Sequence, residues 1–181
     1  MAQNKYIILF IRNVIIKMAK YISNKIKAAE LVKNCWKVYN AKLDHKNPIV
    51  FNNISFNPNE LGYCQRNVRK IVEATIWQKE WTLPYSACCA NSSCQRLIHA
   101  GIQQTTWEKL NSGDLVYFSG GGVCKTCGQP VGHVGIIVSN NDINTRLMWQ
   151  NTSRDSLGLC ITPILDSQIK RITNVFRILP Q

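Results

Sequence analysis

Apolar residues recur every three or four positions through the first forty residues, a region without glycine or proline. This spacing predicts an amphipathic helix. Unbroken, such a helix would be about 60 Å long, longer than a compact domain of this size. We therefore expect a break near Ser23 and Asn24, or a first half that projects and packs on a partner. The apolar stripe consists of Ile7, Ile11, Ile15, Met18, Ile22, Ile26, Ala29, Val32, Trp36 and Tyr39.

A polar segment rich in asparagine follows the helical region. We interpret residues 48–60 as a linker between an N-terminal amphipathic helical region, residues 1–47, and a working domain, residues 61–181. Directly after the linker, apolar residues again recur with helical spacing from Cys64 to Trp77. Cys64 is therefore predicted to lie at the start of a helix or just inside it.

The second half of the chain changes from a helical period to short β-rich runs. Turn residues such as Gly, Asn, Asp and Ser separate these runs, and connections of turn length favour an antiparallel sheet. Helices followed by strands indicate an α+β domain. The five runs are residues 113–118, 133–138, 146–151, 159–164 and 174–179.

Cys64 has the setting of a reactive thiol. Unsatisfied backbone N–H groups at a helix start favour the thiolate. A thiol nucleophile also needs a base, and the chain has three histidines. His45 lies in a charged segment and His99 in a predicted helix, whereas His133 begins a strand. From that position an imidazole can be held rigidly against a helix start, so His133 is the predicted base.

The base in turn needs a polar group that fixes its tautomer. The strand that follows His133 ends in Gln150 and Asn151, and a hairpin of that length returns one of them to the imidazole. Neighbouring strand residues face opposite sides, so only one of the two can fill this role. We interpret Gly132 and Gly135 as room for a substrate and for the approach of the cysteine-bearing helix.

These segments together resemble a known enzyme superfamily. The chain contains, in this order, LGYCQRNVRKIVEA, NSGDLVYF, GHVGIIV and MWQNTS. The order resembles that of NlpC-type and CHAP-type papain-like cysteine peptidases, which cleave bacterial cell walls, over residues 59–179. The first and last segments are also similar to cell-wall peptidases carried by bacteriophages. The resemblance implies a papain-like α+β fold, in which the helix carrying the cysteine packs on an antiparallel sheet of about five strands.

The resemblance also implies a function and a set of site residues. Cys64 would be the nucleophile, His133 the base, and Gln150 or Asn151 the orienting residue. The protein would be a peptidoglycan hydrolase, either a cysteine endopeptidase or an amidase, and would need no cofactor for catalysis. We expect it to be associated with a virion or delivered to the bacterial cell wall or periplasm, with the N-terminal helix contacting other virion or tail proteins.

The charge of the chain agrees with this expectation. Lys and Arg outnumber Asp and Glu by 22 to 10, which gives a formal net charge of +12 and suits an anionic partner such as a cell wall. We expect no membrane span and no signal peptide, because the apolar run Tyr6 to Ile11 ends at Arg12 and no small-residue cleavage site follows.

Seven cysteines remain besides the predicted nucleophile. Cys124 and Cys127 form C-x-x-C followed by glycine, a turn that suits tetrahedral zinc. Cys89 with Cys94 or Cys88 could supply the other two thiolates. The sequence is compatible with three states of these cysteines: ligands of a structural zinc ion, partners in disulfides, or free thiols.

Both cysteine segments look like insertions around the predicted site, so a metal or a disulfide there would join two loops that wall the substrate cleft. Cys35 and Cys160 are instead predicted to be small buried residues.

Two other functions remain open. An acyltransferase on the same fold would use the same cysteine and histidine. A basic, zinc-stabilised protein that binds nucleic acid or builds a virion would explain the charge without any catalysis. Nucleic acid is not the partner we expect, because the chain contains no G-x-x-x-x-G-K-[ST], H-E-x-x-H or RNA-binding aromatic motif.

Overall fold

The computed structural model of the chain describes residues 24–77, 87–141 and 145–179. The first half of the predicted N-terminal helix, up to Ser23, and the apolar run from Tyr6 to Ile11 lie outside these ranges. None of the helices within the described ranges is both long and apolar enough to cross a membrane.

Residues 24–43 form the described part of helix α1. Its buried face lies beside the predicted stripe: Ile26 is 62 % exposed, and Trp36 and Tyr39 are only partly buried. The predicted face is therefore only partly right in this part of the chain: Val32, Trp36 and Tyr39 pack against the core, whereas Ile26 and Ala29 are exposed. The helix packs closely through aliphatic and thiol side chains and leaves its aromatic rings at the rim. The buried apolar residues of α1 are Ala28, Leu31, Cys35 and Val38.

A two-stranded hairpin occupies most of the segment interpreted as a linker. Strand β1, Ile49–Phe51, pairs antiparallel with strand β2, Ile54–Phe56. The turn residues Asn52 and Asn53 have φ of 46° and 62°, which a two-residue hairpin turn requires and asparagine tolerates. The segment thus contributes to the core through Ile49, Ile54 and Phe56.

Two further helices each contain one cysteine, Cys64 in the first and Cys94 in the second. Helix α2, Cys64–Val72, begins at Cys64 as predicted and continues into a π-helical turn, Glu73–Trp77. Helix α3 spans Ala90–His99. Helix α2 packs on the main sheet and also contacts α3 and β2.

The main sheet has six antiparallel strands in the order β3-β8-β4-β5-β6-β7. The five predicted strands correspond to β4 to β8, and a short edge strand, β3, is added. These observations confirm the predicted α+β class and the antiparallel sheet. The strands are β3 Gln104–Thr105, β4 Leu115–Phe118, β5 His133–Ser139, β6 Leu147–Thr152, β7 Gly158–Pro163 and β8 Ile172–Phe176. Short helices lie between them: 3₁₀ turns Trp107–Lys109 and Arg154–Ser156, and helix α4, Asp166–Ile169.

The sheet separates a large core from a smaller one. The helices and the β1–β2 hairpin cover one face, where Val134, Ile136 and Trp149 are buried. Ile137 and Met148 lie in the smaller cluster on the opposite face. Because strand residues alternate between faces, this arrangement decides on which side of the sheet each candidate residue of β5 and β6 lies.

Of the two glycines near His133, Gly132 lines the open cleft beside it, and Gly135 has a different role from the one predicted. A Cβ atom at Gly135 would lie 2.4 Å from Met148 Sδ, so Gly135 makes room for a core methionine and not for the cysteine-bearing helix. Gly132 has φ of +68°, and a Cβ there would lie 3.1 Å from the carbonyl oxygen of Phe118. Gly132 therefore permits a tight turn at the entry to β5.

Candidate active site

Cys64 is the first residue of α2 and is only 4 % exposed. The preceding residue, Tyr63, makes no side-chain capping hydrogen bond, so backbone N–H groups of the first turn remain available at this end. Burial raises the pKa of Cys64, while hydrogen bonds from the backbone N–H groups of Val134, Gln65 and Cys64 act in the opposite direction. Burial is the larger effect, so the resting thiol is uncharged at neutral pH.

The side chain of Asn151 is hydrogen-bonded to the backbone immediately before Cys64. Its Oδ1 accepts the backbone N–H of Tyr63 at 2.9 Å, and its Nδ2 donates to the backbone carbonyl of Glu60 at 2.7 Å. The side chain is fully buried. Both ends of the amide are thus used to position the start of α2.

Gln150, the neighbour of Asn151 on β6, contacts the imidazole. His133 Nε2 donates to Gln150 Oε1 at 2.5 Å, and Gln150 Nε2 donates to Thr162 Oγ1 at 2.7 Å. Because an amide oxygen only accepts hydrogen bonds, Nε2 carries the proton and Nδ1 keeps its lone pair. The two adjacent residues of β6 therefore serve different partners on opposite faces of the strand.

The electrostatic surroundings keep His133 neutral. Burial lowers the pKa of the imidazole, the hydrogen bond to Gln150 raises it, and the positive charge of Arg171 lowers it further. The net effect is a lowered pKa, so the ring is uncharged at neutral pH and able to accept a proton at Nδ1.

Cys64 and His133 line the same cleft, which has a volume of about 740 Å³. The backbone of Val134, the residue after His133, reaches the Cys64 thiol. Within the described ranges, no hydrogen bond joins the thiol to the imidazole. The alternation along β5 explains this, because Val134 faces the helices and His133 shares the opposite face with Ile137. The structure therefore brings the predicted nucleophile and the predicted base to one cleft without a hydrogen bond between their side chains.

Two residues of this site were missed by the sequence analysis. Thr162 supports Gln150 from β7, and Arg171 lines the cleft while its Nε donates to the carbonyl oxygen of Ser119 at 2.9 Å. Both contacts depend on strand register and on the return of the chain after β7. No local sequence signal indicates either of them.

Four cysteine side chains converge beside the cleft, and we call them the four-cysteine group: Cys88, Cys89, Cys124 and Cys127. All four Sγ atoms lie within 4.8 Å of one another. The distances from Cys89 to Cys127 and from Cys88 to Cys124 are both 3.7 Å. A disulfide needs about 2.05 Å, whereas sulphurs arranged tetrahedrally around zinc at about 2.3 Å stand about 3.8 Å apart. The group could therefore hold a metal ion.

The C-x-x-C turn prepares one thiolate for such an ion. Hydrogen bonds from the backbone N–H groups of Cys127 and Thr126 lower the pKa of Cys124 to about 6. Gly128, with φ of +71°, closes the turn by donating its N–H to the carbonyl oxygen of Cys124 at 2.8 Å. Metals bind the deprotonated thiol, so this turn favours the binding form.

Cys94, a member of the predicted ligand set, does not join the group. Its Sγ donates to Asn174 Oδ1 at 3.2 Å, and burial raises its pKa to about 11. Cys94 lies inside α3, on the face that packs towards the sheet. Cys88 precedes the helix and is free to approach the C-x-x-C turn. The structure therefore places Cys88, the alternative considered from the sequence, beside Cys89, Cys124 and Cys127.

Comparisons of the chain with protein-family models and with curated proteins found no match. The resemblance to NlpC-type and CHAP-type peptidases thus depends on the four sequence segments quoted above. The α+β fold and the shared cleft are consistent with that resemblance, and the family assignment stays a prediction.

Proposed function

We propose that this protein is a cysteine hydrolase with a papain-like fold that cleaves an amide bond of bacterial peptidoglycan. The observation that carries the proposal is the hydrogen bond from His133 Nε2 to Gln150 Oε1 in the cleft that Cys64 lines. This bond fixes the tautomer in which Nδ1 is the base. Cys64, at the N-terminus of a helix, is the nucleophile of the proposed reaction.

The proposed reaction has two stages. In the first, the Cys64 thiol gives its proton to His133 Nδ1 as Sγ attacks the amide carbon, and the backbone N–H of Cys64 helps to stabilise the oxyanion. The C–N bond then breaks, and His133 protonates the leaving amine. In the second stage, His133 takes a proton from water as the oxygen attacks the thioester. The carboxylic acid leaves, and the Cys64 thiol is restored.

The starting state of this reaction is an uncharged pair. The raised pKa of Cys64 and the lowered pKa of His133 both oppose a resting thiolate–imidazolium pair. Since the two groups make no direct hydrogen bond within the described ranges, proton transfer requires closer approach on substrate binding or one bridging water.

Charge and sequence segments support peptidoglycan as the substrate. The chain carries a formal net charge of +12, and Arg154 and Arg171 both line the cleft. Arginine binds carboxylates well, and the peptides of cell walls carry carboxylates. The order of the four segments supports the same substrate. Delivery with a virion, through contacts of residues 1–47 with other virion or tail proteins, belongs to the same proposal.

We also propose that the four-cysteine group holds a structural zinc ion that is not needed for the chemistry itself. Elemental analysis of the purified full chain should find one zinc per protein, and Cys124→Ser should lose it. Iron at the same ratio would contradict zinc, because four thiolates also suit iron.

The enzymatic proposal is tested by incubating the protein with purified peptidoglycan and identifying the products by mass spectrometry. Cleavage should be lost in Cys64→Ala and in His133→Ala. The matched controls are Cys35→Ala, a buried cysteine of α1, and His99→Ala, on the exposed side of α3; both should retain cleavage. Activity that survives Cys64→Ala would exclude the proposed nucleophile.

A basic protein without catalytic activity is the second candidate, and the net charge together with the four-cysteine group favours it. It predicts binding to a polyanion that weakens steeply with added salt and is indifferent to Cys64→Ala. Such binding in the absence of any cleavage product would replace the enzymatic proposal. An acyltransferase would instead yield a product joined to an added amine, which the same mass spectra detect.

A further inference from the structure

The four-cysteine group draws its members from two segments beside the cleft. Cys88 and Cys89 immediately precede α3, and together with Cys64 they line a smaller cleft of about 210 Å³. Cys124 and Cys127 lie in the segment that connects β4 to β5. A metal ion in the group would therefore connect a wall next to the nucleophile with the segment that leads to the base.

The segment from residue 119 to residue 132 forms a narrow hairpin that extends β4 and β5. Its two arms are joined by hydrogen bonds from the N–H of Val131 to the carbonyl of Gly122 and from the N–H of Gly132 to the carbonyl of Gly120, both at 2.8 Å. A third hydrogen bond, from the N–H of Cys124 to the carbonyl of Gln129 at 2.8 Å, joins the arms near the tip. The tip of the hairpin carries the C-x-x-C turn, and its base is the first residue of β5.

The hairpin touches the start of α3 near its base. The N–H of Asn91 donates to the carbonyl of Val131 at 3.0 Å, and a Cβ at Gly132 would lie 3.2 Å from the Asn91 nitrogen. The tip has little apolar anchorage, since Val123 is 70 % exposed. At the tip, the sulphur contacts with Cys88 and Cys89 span the gap between the hairpin and the start of α3.

The base of the hairpin is the point at which His133 enters the sheet. The backbone of His133 pairs with Phe118 across β4 and β5, and its ring lies 5.8 Å from the Phe118 ring. Gln150 holds one side of the imidazole. The backbone that directly precedes the imidazole is the hairpin arm carrying Cys127, so a displacement of that arm would be passed on to His133.

We propose that a Zn²⁺ ion bound by Cys88, Cys89, Cys124 and Cys127 clamps this hairpin to the start of α3 and thereby positions His133 for proton exchange with Cys64. The inference rests on the proposed function of these two residues. Binding forms four Zn–S bonds, and each thiol that was protonated releases its proton to solvent. No electron is transferred. The four cysteines are positioning residues, and the ion takes no part in bond cleavage.

The clamp is tested on the zinc-loaded full chain through a reaction that needs no substrate. Iodoacetamide alkylates Cys64 as the thiolate, so its rate and pH dependence report on the neighbouring base; peptide mapping by mass spectrometry separates Cys64 from the other cysteines. Cys127→Ser should lose zinc, slow the alkylation of Cys64 by about 10- to 100-fold and change its pH dependence, because small displacements of a base have effects of this size. Cys94→Ser, a buried cysteine of α3 outside the group, should retain the zinc and the rate.

Two results separate the clamp from the proposed function. If His133→Ala leaves the alkylation of Cys64 in the zinc-loaded protein unchanged, the base assignment fails and the clamp fails with it. If His133→Ala slows the reaction and zinc-free Cys127→Ser does not, the clamp is overturned while the proposed function stands. Failure of the purified protein to bind Zn²⁺ also overturns the clamp.

If Cys127→Ser does not fold, the clamp is tested on the wild-type protein instead. Zinc is stripped from the folded wild type with a strong chelator, and far-ultraviolet circular dichroism follows the secondary structure. We expect the helices and the sheet to persist, the alkylation of Cys64 to slow, and added Zn²⁺ to restore it. Loss of the whole fold on stripping would show that the metal holds the domain and would overturn a local clamp.

Discussion

The reactive cleft and the four-cysteine group are neighbours that are held in place by different means. Cys64 and His133 begin a helix and a strand. Gln150 of β6 is hydrogen-bonded to His133, and its neighbour Asn151 is hydrogen-bonded to the backbone just before Cys64. The four-cysteine group lies outside regular elements, in the approach to α3 and in the hairpin between β4 and β5.

The two regions depend on different interactions to keep their geometry. The register of the antiparallel sheet decides which residues of β5 and β6 face the cleft, and backbone hydrogen bonds and a buried core maintain that register. His133 stands at the end of β5, where the sheet meets the hairpin that carries Cys124 and Cys127. Sulphur atoms at 3.7 Å attract one another weakly, Cys88 is exposed, and Cys127 is partly exposed. Substitutions in the cleft should therefore change chemistry with the fold retained, whereas substitutions in the four-cysteine group should loosen local structure.

The largest effect is expected from Cys64→Ala. Without the proposed nucleophile, kcat for the proposed cleavage of peptidoglycan should fall by a factor on the order of 10⁴ or more. The midpoint of thermal unfolding should change little, since only a thiol hydrogen-bonded to backbone is removed. Steady-state kinetics and a thermal melt measure both quantities. Cys64 also belongs to the large core cluster, so unfolding of Cys64→Ala at a much lower temperature would mean that packing is the main role of this side chain.

The two residues of β6 should respond differently. Gln150→Ala removes the acceptor of His133 Nε2 and the donor to Thr162 Oγ1, so kcat should fall by about 10- to 100-fold, the usual range for a residue that orients another functional group. The free energy of unfolding should also fall, by about 1–3 kcal/mol, so the loss of kcat is what distinguishes this variant. Asn151→Ala leaves the backbone groups of Glu60 and Tyr63 without partners, which should lower the free energy of unfolding by about 1–3 kcal/mol. Kinetics combined with denaturant titration separates the two. Equal effects of the two variants on both quantities would contradict the division of roles.

Substitution in the four-cysteine group should have a local effect. Cys88→Ser, which leaves three thiolates, should increase amide hydrogen exchange in residues 87–91 and 119–132 by about tenfold, the change that a local loss of about 1.4 kcal/mol produces. Exchange in β5 to β7 should change less. Cys160→Ser, at a buried cysteine of β7, is the control and should leave the two segments as they are. Exchange that rises evenly through the sheet would show that the group supports the whole domain.

The smallest effect concerns pH. His133 must be neutral to accept a proton, and its pKa is lowered by burial. The acid limb of kcat/KM should therefore lie below the ordinary histidine value of about 6.5. Arg171→Gln removes a positive charge that also lowers this pKa, so the limb should move to higher pH. Arg96→Gln, on α3, is the control. A limb that stays in place in Arg171→Gln would show that this charge does not act on His133.

The lowered pKa of His133 also makes the folded protein less stable at acidic pH. In the unfolded chain His133 takes up a proton near pH 6.5, and in the folded protein only at a lower pH. At a pH between the folded-state and unfolded-state pKa of His133, the unfolded chain binds more protons than the folded protein. The contribution of His133 to the free energy of unfolding therefore falls as the pH is lowered through this range. Denaturant titrations of the wild type and His133→Ala should therefore diverge as the pH falls below 6.5.

Several features of the fold could be predicted from short-range patterns. The start of α2 at Cys64, the five strands from β4 to β8 and the entry of β5 at His133 all follow from hydrophobic period and turn residues. The hairpin of residues 49–56 was missed, although its two asparagines are a hairpin signal, because the surrounding prolines and polar residues indicated a linker. The buried face of α1 was predicted only in part, since two neighbouring stripes of that helix are apolar and both contact the core.

The composition and spacing of the chain establish the kinds of groups that the protein has: one cysteine at a helix start, one histidine at a strand start, two adjacent amides on the next strand, and a C-x-x-C turn. They also establish the alternation that separates Gln150 from Asn151, because that is a property of any strand. Which amide contacts the imidazole depends on strand register. Whether Cys88 or Cys94 joins the C-x-x-C turn depends on where α3 begins. Thr162 and Arg171 reach the cleft from distant parts of the chain. These choices belong to the tertiary structure, because hydrophobic period is a local property, whereas a side chain's partner is chosen by contacts between segments far apart in sequence.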